Sequence, residues 1–122
     1  MELGLTFTST EVVNEKNTAR AIGSGDLEVL ATPVMAALME NAAMNAVSHQ
    51  LSEESTTVGA LLQITHSRPS AIGETVSATA TLDDVEGRKL TFKVSAADSK
   101  GTIGEGVHVR YIVDRERFMS KL

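Results

Sequence analysis

The sequence contains no cysteine and no tryptophan, and aromatic residues make up only 3% of its 122 residues. Without thiols the chain forms no disulfide, uses no thiolate nucleophile and offers no cysteine ligand to a metal. With so few aromatic rings, the core must be built from alanine, valine, leucine, isoleucine and methionine. Alanine-rich faces allow close approach between backbones, which suits packing against a second subunit.

The chain also lacks long apolar runs and clusters of positive charge. No apolar segment reaches the roughly 18 residues of a membrane helix, and no basic segment followed by an apolar one opens the chain as in a signal peptide. The net charge is −5, and no Lys/Arg cluster is interleaved with aromatic residues, which argues against binding to nucleic acid. We therefore expect a cytoplasmic protein without a membrane or nucleic-acid partner.

Common motifs of metal and nucleotide chemistry are missing as well. There is no HExxH sequence, no Cys/His cluster and no Walker-type glycine loop, so neither a metal site nor nucleotide hydrolysis is indicated. A chain of 122 residues with 42% hydrophobic content suffices for one ordinary domain. We expect a single domain over residues 1–122.

The segment that organises the chain runs from Ala31 to Val47. Thr32 stands at a good N-cap position, and Pro33 follows at the first helical position, where its missing N–H costs nothing. From Val34 onward apolar side chains occur all round the helix instead of on one stripe. This pattern predicts a helix enclosed by other structure.

Glu40 is the only charged residue between positions 34 and 47. A lone carboxylate in apolar surroundings is expensive to bury, so its presence in mid-helix needs a reason. One reason is chemistry at a site, and the other is a carboxylate facing a wet groove at the helix edge.

Alternating apolar and polar residues predict five strands around this helix. The first contains Leu3, Leu5 and Phe7, continues toward Val13 and is expected to be half-buried. The other four cover residues 58–66, 75–82, 90–96 and 102–113. Residues 14–30 show no sustained period and predict a long connection, either a lid or a surface meander.

His66 ends the apolar face of the second strand. Alternation assigns to that face Val58, Ala60, Leu62, Ile64 and His66. A histidine at a strand end is commonly structural, but a position on the apolar face would let it meet Glu40.

The last strand combines two glycines with two potentially charged residues. Gly104 and Gly106 suggest a bulge or a close approach of backbones. His108 and Arg110 share one face, as cross-strand support or as contacts to phosphate. One sheet covers only one side of an apolar helix, so we also expect a second copy of the chain to cover the other.

Several short motifs occur in a fixed order along the chain. They are Ala31-Thr32, Leu38 to Ala42, Gly59, Thr65-His66, Val85 to Arg88, and Ile103, Gly104, Gly106, His108 and Arg110. Together with the strand pattern they resemble the hotdog fold, and within it the thioesterase branch that contains the fluoroacetyl-CoA thioesterases. The resemblance spans Val29 to Val113.

This resemblance implies an α+β hotdog fold, with an antiparallel sheet of about five strands wrapped around a long central helix, in a dimer. It implies hydrolysis of a short-chain acyl-CoA thioester at the dimer interface, without metal or cofactor. The implied catalytic residues are Thr32, Glu40 and His66. The implied substrate-binding residues are Gly59, near the thioester carbonyl, and Arg110, close to His66.

Alternatives remain for the substrate and for the reaction. Residues 14–30 do not match the family's lid segment, so a general short-chain acyl-CoA thioesterase stands beside a fluoroacetyl-CoA enzyme. A non-catalytic acyl-CoA-binding module would use the same groove, and a hotdog hydratase or dehydratase would need an Asp/His pair. The assembly is a homodimer or a dimer of dimers.

Two of the implied catalytic residues, Thr32 and Glu40, lie far apart on the same helix. Thr32 and Glu40 are eight positions apart, which places them about 12 Å apart along its axis. Their side chains cannot touch within one helix. We therefore expect each active site to be shared between two subunits.

Overall fold

The computed structural model describes all residues from Met1 to Leu122. Its strands are β1 (Thr6–Val12), β2 (Ser55–His66), β3 (Thr75–Glu86), β4 (Lys89–Asp98) and β5 (Gly101–Asp114). Its helices are α1 (Ala19–Ile22), α2 (Thr32–Val47) and α3 (Arg115–Ser120), and a 3-10 turn at Ser48–Gln50 follows α2. The five strands form one antiparallel sheet in the order β1-β3-β4-β5-β2, and α2 packs mainly against β1 and β3. The predicted order of the five strands and the central helix is confirmed, whereas α1, within the connection over residues 14–30, was not predicted.

The core lies between α2 and the inner face of the sheet. As the alternation predicts, β3 and β4 bury Val76, Ala78, Ala80, Leu82, Leu90, Phe92, Val94 and Ala96. They meet the buried face of the helix, which carries Met35, Leu38, Met39, Ala42, Ala43 and Ala46. Six of these side chains are alanines, so the helix can lie close to the sheet.

The start of α2 differs from the prediction. The N-cap is Ala31, whose carbonyl accepts hydrogen bonds from the N–H groups of Val34 and Met35, and Thr32 lies within the first turn. No side chain caps this helix. The hydroxyl of Thr32 bonds instead to a histidine on β2, described below, and so it does not act as the cap.

In the single chain, α2 is enclosed on one side only. Pro33, Ala37 and Asn41 are exposed and border an open groove between α2 and β1. The expectation of a helix enclosed all round is therefore not met by one copy of the chain, because a single sheet covers a single face. None of the helices has the length and apolar character needed to cross a membrane.

Strand β1 is more exposed than predicted. Leu3 and Phe7 are 60% and 43% exposed, and Ser9 is the one buried residue of the strand. Ser9 donates a hydrogen bond to Asn41 on α2 at 2.7 Å. β1 is an edge strand and pairs only with β3.

A β-bulge in β2 changes which residues face the core. The pairing register with β5 shifts between Gly59 and Leu61, so Ala60 is left without a partner. Before the bulge, Thr57 and Gly59 therefore face inward. The assignment of Val58 and Ala60 to the inward face is wrong. Beyond the bulge the predicted face holds for Leu62, Ile64 and His66, each half-buried.

The two glycines of β5 mark close approach, as predicted. A Cβ atom on Gly104 would lie 2.5 Å from the carbonyl oxygen of Thr65 and 2.8 Å from the sulfur of Met35. The short helix α3 was not predicted. It begins after Asp114, whose carboxylate accepts a hydrogen bond from the backbone N–H of Arg117.

Candidate active site

The start of α2 and the end of β2 meet at a hydrogen bond between two of the implied catalytic residues. Thr32 Oγ1 lies 2.7 Å from Nδ1 of His66. The end of the strand is held in place because the backbone N–H groups of Ser67 and Arg68 both donate to the carbonyl of Ile103. The fold thus brings together a hydroxyl and an imidazole that lie 34 positions apart.

The other ring nitrogen of His66 has no partner. His66 Nε2 is the only buried side-chain nitrogen or oxygen in the chain without a hydrogen bond. Burial lowers the pKa of His66 below its usual value of 6.5, although the backbone of Arg68 acts in the opposite direction. The imidazole is therefore neutral at pH 7, and only one of its two nitrogens is engaged by a side chain of the protein.

A hollow of about 260 Å³ lies beside this pair. It is bordered by Thr32 and His66, by Pro69 after β2, and by Ala19 and Val29 from the connection between β1 and α2. The long connection predicted from the sequence therefore lies against the Thr32–His66 pair. Its place suits a segment that contacts the ligand.

Glu40 lies apart from this pair, over the bulge of β2. Its carboxylate oxygen Oε2 is 3.0 Å from the position that a Cβ atom of Gly59 would occupy. His108 Cε1 and Arg110 Nη1 are 3.3 and 3.4 Å from the same point. One chain thus assembles two separate groups, Thr32 with His66 and Glu40 with Gly59 and Arg110.

Arg110 is held beneath this second group by three hydrogen bonds. Its Nε and Nη2 donate to the hydroxyl and carbonyl oxygens of Thr57 at 2.8 and 2.9 Å, and Nη1 lies 3.1 Å from His108 Nε2. Burial lowers the pKa of Arg110, while the charge of Glu40 acts in the opposite direction. A buried guanidinium remains protonated in this setting, so it supplies a fixed positive charge near Glu40.

The structure corrects one expectation about this network and favours one of two open alternatives for another. Within one chain Arg110 pairs with Gly59 whereas His66 pairs with Gly104, so Arg110 is not close to His66. His108 and Arg110 are only 1% and 7% exposed, which favours cross-strand support over contact with phosphate.

Thr57 and the bulge were not predicted from the sequence. The available signal was the pair Leu61-Leu62, since two adjacent apolar residues interrupt the alternation. Small residues just before them, Gly59 and Ala60, are where a strand tolerates such an interruption.

Comparison with known proteins identifies the family of this chain. The model of the fluoroacetyl-CoA-specific thioesterase family matches residues 13–116. The chain belongs to this family. A fluoroacetyl-CoA thioesterase from Streptantibioticus cattleyicolor is 35% identical over 128 residues, covering 100% of this chain and 92% of that protein.

Solved structures agree with the family assignment. A mutant of the fluoroacetyl-CoA-specific thioesterase, crystallised with fluoroacetate and CoA, matches with a TM-score of 0.90 at 35% identity, over 97% of this chain and 99% of that one. A hotdog-like protein from Thermanaerovibrio acidaminovorans matches with a TM-score of 0.89 at 24% identity, over 99% and 90% of the two chains. The resemblance drawn from the sequence and the hotdog fold are confirmed.

Proposed function

We propose that the protein hydrolyses a short-chain acyl-CoA thioester to the free acid and CoA. The observation that carries the proposal is the bond between Thr32 and His66 within a fluoroacetyl-CoA-specific thioesterase family fold. The reaction adds water across the bond between the carbonyl carbon and sulfur. We place the protein in the cytoplasm because CoA thioesters are its proposed substrates. It acts as one domain over residues 1–122, without metal or cofactor.

Each implied residue has a role in this proposal. Glu40 attacks the carbonyl carbon or activates the water that does so. His66, oriented by Thr32, passes a proton from the consumed water to the departing CoA sulfur. Gly59 leaves room for the thioester carbonyl, and Arg110 contributes positive charge near the reacting atoms.

The separation of the two groups supports a site shared between two copies of the chain. Thr32 and Glu40 lie eight positions apart on α2, which is about 12 Å along the axis. A second copy that covers the exposed side of α2 would bring its Glu40 toward the Thr32–His66 pair of the first. We therefore propose a homodimer, alone or within a dimer of dimers, as the active form. Sedimentation that shows a folded monomer at micromolar concentration would contradict this.

The acyl group is proposed only as a class. The curated relative acts on fluoroacetyl-CoA. For this chain we propose a short acyl group, fluoroacetyl or a related small one.

The test is release of free CoA from a panel of acyl-CoA thioesters, followed with a thiol-reactive dye. We expect release with short acyl groups, and its loss in Glu40→Gln, which is nearly isosteric and removes only the ionisable group. Glu54→Gln changes an exposed glutamate and serves as the matched control. Binding without CoA release would indicate a non-catalytic module. Loss of an enoyl chromophore without thiol release would indicate a hydratase.

A further inference from the structure

The partners of His108 determine which of its ring nitrogens carries the proton. Nδ1 lies 2.7 Å from the carbonyl oxygen of Leu61, and Nε2 lies 3.1 Å from Nη1 of Arg110. A carbonyl oxygen only accepts hydrogen bonds, and a guanidinium only donates them. Nδ1 must therefore carry the hydrogen, and Nε2 must offer its lone pair.

The surroundings also keep His108 uncharged. Burial lowers its pKa and the charge of Arg110 lowers it further, while the Leu61 carbonyl and Glu40 act in the opposite direction. The ring of Phe92 on β4 lies 6.4 Å away between centroids and adds no charge. A proton on Nε2 would face an N–H of Arg110 and break the bond between them. His108 is therefore unsuited to proton transfer.

His108 and Arg110 together connect the two sides of the β2 bulge. Arg110 is bonded to Thr57, before the bulge, and His108 is bonded to Leu61, after it. Gly59 lies between these attachment points, and Glu40 lies directly over it. The bulge is thereby held to β5 on both sides of the residue that Glu40 contacts.

We infer that His108 is a positioning residue for hydrolysis: in its neutral Nδ1–H form it braces the bulge at Gly59 and aims Arg110 toward Glu40. The inference rests on the proposed function, because it assigns His108 a role in that reaction. His108 itself touches neither the Thr32–His66 pair nor a surface that a substrate can reach, since it is 1% exposed.

Three substitutions separate the two bonds of this residue. His108→Asn retains a donor near the Nδ1 position and loses the acceptor for Arg110. His108→Gln retains an acceptor near the Nε2 position and loses the donor to Leu61. His108→Phe keeps a ring and loses both. His49→Phe, at an exposed histidine in the 3-10 turn, is the control.

The kinetic test compares kcat and KM for CoA release in variants whose folding is verified by circular dichroism. Misplacement of reacting groups by about 1 Å can cost about a hundredfold in rate, so we expect kcat to fall by about ten- to a hundredfold in His108→Phe. KM should change less than about threefold, and His108→Asn and His108→Gln should lie between wild type and His108→Phe. If His108→Phe fails to fold, the other two variants decide.

The second test reads the proton directly by ¹⁵N NMR of histidine-labelled wild-type protein, with the His108 signals assigned by their absence in His108→Asn. We expect a protonated Nδ1 and an unprotonated Nε2 at pH 7, with any protonation of the ring at a midpoint below 6.5. A protonated Nε2 at pH 7, or a midpoint above 6.5, would overturn the inference. So would an unchanged kcat in folded variants that lose only thermal stability. A wild-type protein that releases no CoA would overturn the proposed function and this role with it, whatever the tautomer.

Discussion

Thr32 Oγ1 and His66 Nδ1 are joined at 2.7 Å, and this bond takes the threonine hydroxyl away from the helix cap that the sequence predicts for it. The threonine hydroxyl thus bonds to the imidazole and not to a backbone N–H of its own helix. Thr32 is exposed, and the cap position is filled by Ala31. The bond is therefore expected to matter more for activity than for stability.

Replacing Thr32 by valine tests this expectation. Valine has nearly the same shape and removes only the hydroxyl, so His66 loses its orienting partner. We expect kcat for CoA release to fall by about tenfold or more, while Thr32→Ser keeps most of the activity. Urea unfolding should show a stability change within about 0.5 kcal/mol, as for exposed residues generally. A loss of about 1 kcal/mol with full activity would mark Thr32 as a cap.

The pH dependence of the rate should follow His66. Burial lowers its pKa below 6.5, so the neutral form that can accept a proton persists at neutral pH and is lost as the pH falls through this lowered value. We expect kcat/KM to be level near pH 7 and to fall on the acid side with a midpoint below 6.5. A midpoint above 6.5 in the steady-state profile would contradict the assignment of His66.

Gly59→Ala should impair catalysis without unfolding the protein. The added Cβ would lie 3.0 Å from Glu40 Oε2, the end of a flexible side chain that can move away. His108 and Arg110 are fixed by their hydrogen bonds and cannot move away. We expect about a tenfold or greater loss of kcat, since the carboxylate is displaced. Ala60→Ser, at the exposed neighbouring position, should keep wild-type rates.

A buried aspartate outside the site should matter for stability instead. The side chain of Asp98 is 1% exposed, pairs with Arg68 at 3.1 Å and accepts hydrogen bonds from Ser70 and from the backbone of Lys100. Removing it leaves these donors unpaired, so Asp98→Ala should cost about 2 to 3 kcal/mol in urea unfolding.

The control for this measurement is Asp83→Ala. Asp83 pairs with Lys93 at 3.8 Å on the surface, with both side chains largely exposed. Its loss should cost less than about 0.5 kcal/mol. Equal losses of unfolding free energy in Asp98→Ala and Asp83→Ala would show that burial does not determine the effect.

Mixing inactive variants tests whether each active site is shared between two subunits. A heterodimer of His66→Ala and Glu40→Gln contains one site with an intact Thr32–His66 pair and an intact Glu40 from the other subunit. Its activity should approach about half that of wild type, by counting sites under the two-fold symmetry.

The matched control is a mixture of Thr32→Val and His66→Ala. Thr32 and His66 meet within one chain, so this mixture restores no complete pair and should show only the residual activity of its parents. If verified heterodimers of the first mixture also stay inactive, all three residues act within one chain.

The parts of the fold that follow local periodicity were predictable. Strands β3 and β4 alternate without interruption, and their inner faces are those expected from the sequence. The site was predictable only through the family resemblance, because nothing local to Thr32 or His66 indicates that they meet. The bulge was missed because it depends on how β2 pairs with β5, and the cap was missed because two partners compete for one hydroxyl.

The alanines between helix and sheet have a consequence for how the enzyme can diversify. Ala42 on α2 and Ala78 and Ala80 on β3 are fully buried, so a larger residue there would push the whole helix outward. Because α2 carries both Thr32 and Glu40, such a change would displace two of the proposed catalytic residues at once. New acyl preferences should therefore arise through residues 14–30, where substitutions leave the distance between α2 and the sheet unchanged.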